Sequence, residues 1–218
     1  MDTKSRQEHG RSAAIESVIF DMGGVLMTFD GLAFARVFAE NEDDARLLDA
    51  ALFGRTEWAL LDAGAISHQT MARVAAEHLP RRLRPNLDAL IAGWPAHSRP
   101  IEETNRLALD LKTRGLGIYV LSNASTRIEE QLSRAPVHPA LDGWMASAFE
   151  HIMKPDPDIY RLLAHRFGLD VATCLFVDDN ADNCIGAEIA GMRAHHFTGD
   201  ACALAETIDR LARPARSL

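Results

Sequence analysis

Five short apolar runs limit what this chain can fold into: SVIF at 17–20, GIYVL at 117–121, AFEHI at 148–152, CLFV at 174–177 and AHHF at 194–197. Each is too short for a helix, and most lack the strict alternation of a strand with one wet face. Strands buried on both faces read this way. Helical patterns fill the intervals: 101–114 ends at Gly115, 125–134 stops before Pro136, 157–167 ends at Gly168, and 181–190 ends at Gly191. Strands alternating with helices of this length predict right-handed crossovers and an α/β fold, a parallel sheet flanked by helices.

One segment breaks the alternation. From 31 to 97 no strand pattern appears; helical patterns run over 32–53, 56–63 and 67–79, with Ser67 as an N-cap, and Pro80, Pro85 and Pro95 punctuate the remainder, 80–97. The expected organisation is a core formed by 1–30 and 98–218, with a small all-helical domain, 31–97, inserted after the first strand. The crossings near 30–31 and 97–100 are the expected hinges. A chain of 218 residues, 47% hydrophobic, has enough apolar material for one sizeable core and a smaller one.

Charge and targeting narrow the partners. The net charge of −8, with no basic stripe before the ending RLARPARSL, argues against nucleic acid. No run of eighteen uncharged apolar residues occurs, and the opening MDTKSRQEHGRSAA has no stretch of signal-peptide length, so no membrane association and a cytoplasmic location are expected, with 1–14 an irregular tail. Cys174, Cys184 and Cys202 fit neither a zinc spacing nor a disulfide framework, which points to a reducing compartment and to cysteines packed as small hydrophobes.

In an open parallel sheet, ligands bind beyond the carboxyl ends of the strands. Polar residues stand at four such ends: Asp21, the pair Ser122 and Asn123, Lys154, and the pair Asp178 and Asp179. Singly, each has an ordinary explanation as a turn, a cap or a surface charge. Together they place three carboxylates, a hydroxyl and an ammonium on one rim. Three carboxylates do not stay ionised side by side unless a cation offsets them, and Lys154 alone carries too little charge. A hard divalent cation is implied, and all-oxygen ligation with open positions suits Mg²⁺, which shares its shell with substrate phosphate. Lys154 and the Ser122 hydroxyl can then hold the phosphoryl oxygens while one carboxylate attacks phosphorus. Asp21 is the natural attacker, because it leaves its strand first and is followed by Gly23 and Gly24, where the backbone can turn and approach a ligand.

The segments FDMGGVL, LSNAS, KPDPDIY and FVDDNADN, in this order and spacing, resemble the four motifs of the haloacid dehalogenase superfamily, and the helical insertion resembles that superfamily's C1 cap. Within it, FVDDNADN and the phrase DAGAISHQTM are similar to the glucose-1-phosphatase-like branch and to the N-terminal phosphatase domain of epoxide hydrolases. The resemblance implies a Rossmann-like core and hydrolysis of a small phosphorylated metabolite, a sugar phosphate foremost, by a monomer or homodimer. It also implies roles: Asp21 as nucleophile, Ser122, Asn123, Gly24 and Lys154 around the phosphate, and Mg²⁺ held by Asp21, Gly23 through its backbone carbonyl, Asp178 and Asp179. Asn183 matches a supporting position, and Asn180 and Asp182 are explained equally well as supporting residues or as helix caps.

One departure stands out. Most phosphatases of the superfamily carry a second Asp two residues after the nucleophile, as acid and base, where this chain has Gly23, as the branch it resembles is implied to have. Losing that assistance costs roughly two to four orders of magnitude in rate unless another group substitutes. Three outcomes are open: the cap supplies the proton through His68, Glu57 or a water; the leaving group needs little help, as in an anomeric phosphate; or the protein binds phosphorylated ligands without turnover. A metal-free dehalogenase is a further alternative, against which the adjacent Asp178 and Asp179 weigh. His151, His195 and His196 are expected to be structural, Phe53 to pack inside the cap and Trp58 to pack there or line a pocket, with no role assigned to Trp94 or Trp144.

Overall fold

The computed structural model describes residues 13–212. The expected irregular tail, 1–14, lies outside the described residues except for Ala13 and Ala14, as do the last residues of the basic ending.

Five parallel strands form one sheet in the order β3-β2-β1-β4-β5, with β1 at Ser17–Phe20, β2 at Gly117–Ser122, β3 at Gly143–Ala146, β4 at Cys174–Asp178 and β5 at Arg193–His196. Consecutive residues of the central strands feed opposite faces. Val18, Phe20, Ile118, Val120, Leu175 and Val177 enter one apolar layer, closed by Leu111 and Ile208. Ile19, Tyr119, Leu121, Cys174 and Phe176 enter the other, closed by Ile159, Tyr160 and Leu163. Burial on both faces is why these runs read as continuously apolar.

Two expectations within the core are corrected. The third strand is GWMA at 143–146, not 148–152; it pairs through Tyr119↔Gly143 to Ser122↔Ala146, and Ser147–Glu150 form a short helix. Glu150 and His151 would have been polar groups inside a two-sided sheet. Instead, Glu150 pairs with Arg166 at 2.6 Å, and His151 ends the helix in a left-handed conformation. The expected helix at 125–134 shrinks to Glu129–Leu132. A helix not anticipated, Ala201–Ala212, packs Leu204 and Ile208 into the first layer. Cys174 and Cys184 are buried, whereas Cys202 is exposed at the start of that helix.

After β1 comes a lobe of helices: Gly31–Phe38, Glu42–Leu52, Thr56–Asp62, His68–Glu77 and Arg84–Gly93. The single pattern at 32–53 is two helices, the second capped by the Asn41 side chain, which accepts from the Asp44 N–H. Pro85, expected to punctuate, sits in the first turn of the Arg84–Gly93 helix, where its missing N–H is not needed. Phe34, Leu48, Leu52, Leu61, Met71, Leu87 and Leu90 give this lobe a core of its own. The two crossings are pinned to the sheet side: Ser98 Oγ donates to Thr28 O at 2.7 Å, and Gln131 Nε2 donates to Ser98 Oγ at 2.7 Å.

Candidate active site

The chain runs from β1 to β2 and β3 on one side, then crosses to β4 on the other, so the switch point of the sheet lies beside β1. Asp21 leaves β1 there, its N–H bonded to Val177 O at 2.8 Å and its carboxylate accepting from the Met22 N–H at 2.7 Å. Asp178 ends the neighbouring β4. Between them lies the Lys154 ammonium, 2.8 Å from Asp21 Oδ1 and 2.6 Å from Asp178 Oδ2, with its side chain 1% exposed. Burial works against the ammonium, but the two carboxylates outweigh it and hold its pKa above the ordinary value. Burial likewise raises Asp21, to about 6, with Lys154 opposing the rise and Asp178 adding to it.

The surrounding amides fix this arrangement. Asn123 Oδ1 accepts from the Lys154 N–H at 2.9 Å and its Nδ2 donates to Lys154 O at 2.9 Å, so both ends of the amide hold the lysine backbone. Asn183 Nδ2 reaches Asp178 at 3.0 Å, and the Asn180 N–H gives Asp178 a further bond at 2.8 Å. The Asn180 side chain caps the Ala181–Ala190 helix by accepting from the Asp182 N–H.

One carboxylate oxygen from each of Asp21, Asp178 and Asp179 lies within 4.8 Å of the other two. One ammonium against three carboxylates leaves a net negative cluster, and its hard oxygen donors fit Mg²⁺. Burial and the neighbouring Asp178 both push the Asp179 pKa up. Gly24, with φ +73°, turns the loop after β1 so tightly that a side chain there would run into the Asp179 carboxylate. Gly23 is different, because a Cβ there would meet only Phe29 Cβ at 3.6 Å, an ordinary contact. Space alone does not exclude a side chain at 23.

A cavity of about 370 Å³ opens over these groups, between the sheet and the helical lobe. Asp21, Ser122, Asn123 and Asp179 line its floor; Lys154 and Asp178 lie behind the floor and are not part of the wall. Phe29, Trp58 and Trp94 form an aromatic wall, with ring centroids 5.6–5.8 Å apart. Trp58 and Trp94 thus face the cavity, while Phe53 packs behind Trp58 at 4.7 Å. Arg127, also on the wall, donates to Ile91 O at 2.7 Å and ties the sheet side to the lobe.

Neither expected proton donor reaches this cavity. Glu57 pairs with Arg55 at 3.2 Å, and His68 lines a separate cavity with Phe149 and His151. The lobe contributes a different acid, Asp62, on the cavity wall and only 8% exposed. Burial drives its pKa up to about 8, against a backbone hydrogen bond from Ser125. The sequence reading passes over it, although a carboxylate at the end of the Thr56–Asp62 helix, where it is electrostatically disfavoured, is a signal that could have found it. His195 and His196 lie on the edge strand β5, and His196 Nε2 contacts Asp179 O at 3.0 Å.

The fold and this cavity define an α/β protein with a carboxylate-lined site at the carboxyl edge of a parallel sheet. The family model described as "Hydrolase: haloacid dehalogenase-like hydrolase" matches residues 15–191, and the chain belongs to that family. It is 29% identical to Phosphatase MT3486 of Mycobacterium tuberculosis (strain CDC 1551 / Oshkosh), over 84% of this chain and 87% of that one. It is 26% identical to the sesquiterpene phosphatase astK of Aspergillus oryzae (strain ATCC 42149 / RIB 40), over 84% and 90%. Among solved structures, the L-2-haloacid dehalogenase RSc1362 superposes with a TM-score of 0.67 at 19% identity, covering 90% of this chain and 100% of that one. The chain is therefore a hydrolase whose relatives include phosphatases, and no described helix is long and apolar enough to cross a membrane.

Proposed function

We propose that this hydrolase cleaves small phosphomonoesters, with Mg²⁺, through an aspartyl-phosphate on Asp21, and that the helical lobe, 31–97, acts as a cap over the core. The observation that carries this reading is the cluster of three carboxylate side chains around one sealed ammonium. Such a cluster calls for a cation, and a cation beside a nucleophilic carboxylate serves phosphoryl transfer. A mechanism that displaces halide from carbon without metal has no use for Asp178 and Asp179 together.

In this reading Asp21, Asp178, Asp179 and the Gly23 carbonyl would hold Mg²⁺, which when bound offsets charge on the phosphoryl oxygens. The Asp21 carboxylate attacks phosphorus and the bond to the leaving oxygen breaks. Ser122 and Gly24, at the cavity floor, hold phosphoryl oxygens. Lys154 keeps Asp21 ionised and oriented from behind the floor, and Asn123 acts as a positioning residue by fixing the lysine backbone at both ends. Water then attacks the phosphoryl group and frees Asp21.

The aromatic wall receives the organic part of the ester. Flat, apolar rings suit the C–H face of a sugar, so a sugar phosphate is the preferred substrate class; a sesquiterpene phosphatase among the relatives makes hydrocarbon phosphates the instructive comparison. The test is phosphate release from glucose 1-phosphate, glucose 6-phosphate, a prenyl phosphate and para-nitrophenyl phosphate, with Mg²⁺ and with chelator. Metal-dependent release, abolished by Asp21→Asn, is expected; no release from any ester by folded protein would overturn the reading, and release of halide from a haloacid would replace it.

A further inference from the structure

We propose that Asp62, brought in by the cap, donates the proton to the leaving oxygen and then takes one from the attacking water. The inference rests on the phosphatase reading above and supplies the acid–base group for which position 23 has no side chain.

Asp62 shares the cavity wall with Asp21 and Ser122, but it reaches the cavity from the lobe side. It is 8% exposed, so water does not level its proton affinity, and no cation offsets it. Its carboxyl therefore keeps a proton near neutrality, as a general acid requires. The nucleophile and the acid are thus two carboxylates set apart by environment: Asp21 faces an ammonium and Asp62 faces none.

The backbone shows how Asp62 is delivered. Ser147 Oγ, on the sheet side, donates to Asp62 O at 2.6 Å and accepts from the Ala124 N–H at 3.0 Å, two residues after Ser122. The chain then turns at Gly64, φ +68°, where any side chain would strike Ala148 O. The end of the Thr56–Asp62 helix is therefore seated directly on the loop after β2, and an opened cap would carry Asp62 away from Asp21. Closure assembles the acid at the same time as it excludes water.

The proton balance closes. As Asp21 Oδ bonds to phosphorus, the ester P–O bond breaks and its electron pair stays on the leaving oxygen, which takes the Asp62 proton and departs as an alcohol. Water then attacks phosphorus, gives a proton to the Asp62 carboxylate, and the bond from phosphorus to Asp21 breaks, releasing inorganic phosphate and restoring both carboxyl groups. With Asp62 in this role, alcohols that leave poorly are acceptable substrates, and the reason to favour anomeric phosphates weakens.

The experiment compares wild type, Asp62→Asn, Gly23→Asp and the double variant on glucose 6-phosphate and para-nitrophenyl phosphate. Asp62→Asn should lower kcat on glucose 6-phosphate by roughly 10²–10⁴-fold. On para-nitrophenyl phosphate, whose leaving group needs no proton, it should give a stoichiometric burst of nitrophenol followed by slow turnover. Gly23→Asp, for which there is room, should restore at least about tenfold in the Asp62→Asn background. Equal loss of the burst and of glucose 6-phosphate turnover, or an unchanged kcat, would overturn the proposal. Should Asp62→Asn fail to fold, Gly64→Ala displaces the same turn with Asp62 intact, and sparing of the nitrophenol burst decides in its place. Wild type that is inactive on every ester defeats the phosphatase reading and this proposal with it. Active wild type, a dead Asp21→Asn and an unaffected Asp62→Asn defeat the Asp62 proposal alone.

Discussion

Replacing Lys154 by Met tests whether the site is held together by charge. The ammonium lies 2.8 Å from Asp21 and 2.6 Å from Asp178 and is sealed from water, so Met keeps the stem's apolar volume while leaving two carboxylates without their cation. Removing one partner of a buried ion pair costs about 3–5 kcal/mol. For a chain of this size each kcal/mol moves Tm by about 2–4 °C, so a fall of roughly 6–20 °C is expected at pH 8. The loss should shrink towards pH 5. Without the ammonium the Asp21 pKa climbs above its present value of about 6, and a carboxyl with a raised folded pKa destabilises progressively as pH rises from its ordinary value towards the folded one. Mg²⁺ should recover part of the loss at pH 8, because a cation beside the three carboxylates takes over some of the ammonium's work. Thermal melts of both proteins at pH 5 and pH 8, with chelator and with Mg²⁺, give all four comparisons. A metal-free variant melting within about 2 °C of wild type at pH 8 would refute the reasoning.

Two further predictions concern neighbouring positions. Gly24→Ala forces a side chain against the Asp179 carboxylate in a left-handed backbone, so Mg²⁺ affinity measured by titration calorimetry should fall at least about tenfold; unchanged affinity would remove Asp179 from the ligand set. Asp62→Asn should be stabilising at high pH. The Asp62 pKa rises from 3.8 to about 8 on folding, so the folded wild type loses stability as pH rises between those values, while the amide does not titrate. Melting curves in chelator should therefore separate in favour of the variant between pH 4 and pH 8, by an amount on the order of a few kcal/mol. A gap that stays constant with pH would contradict burial of an unpaired carboxyl.

Much of the sheet side was legible because its physics is local. SVIF, GIYVL and CLFV read as two-sided strands, and Asp21, Ser122 and Asp178 follow from where those strands end. The third strand differs from the expectation because two short windows, GWMA and AFEHI, compete for it, and pairing with β2 together with the polar Glu150 and His151 decides for GWMA. Lys154 was placed on the rim, but its position behind the cavity floor depends on Asn123 gripping its backbone from another strand end. Asp62 was missed because its meaning is made by the seating of a helical lobe on a loop far along the chain. In sequence, DAGAIS shows only a helix ending at a glycine turn. The negative charge at that helix end, which the helix itself disfavours, is the one local sign that singles the residue out.

The most direct test of the central claim is to look for phosphate on Asp21 itself. Enzyme mixed rapidly with para-nitrophenyl phosphate and Mg²⁺, quenched, reduced with borohydride and digested should yield the peptide carrying FDMGGVL with Asp21 converted to homoserine. The label should be absent with chelator and from Asp21→Asn, and it should accumulate in Asp62→Asn, where the second step is slowed. Turnover with Asp21 unmodified at every quench time, or the label on another carboxylate, would contradict an aspartyl-phosphate mechanism at this position.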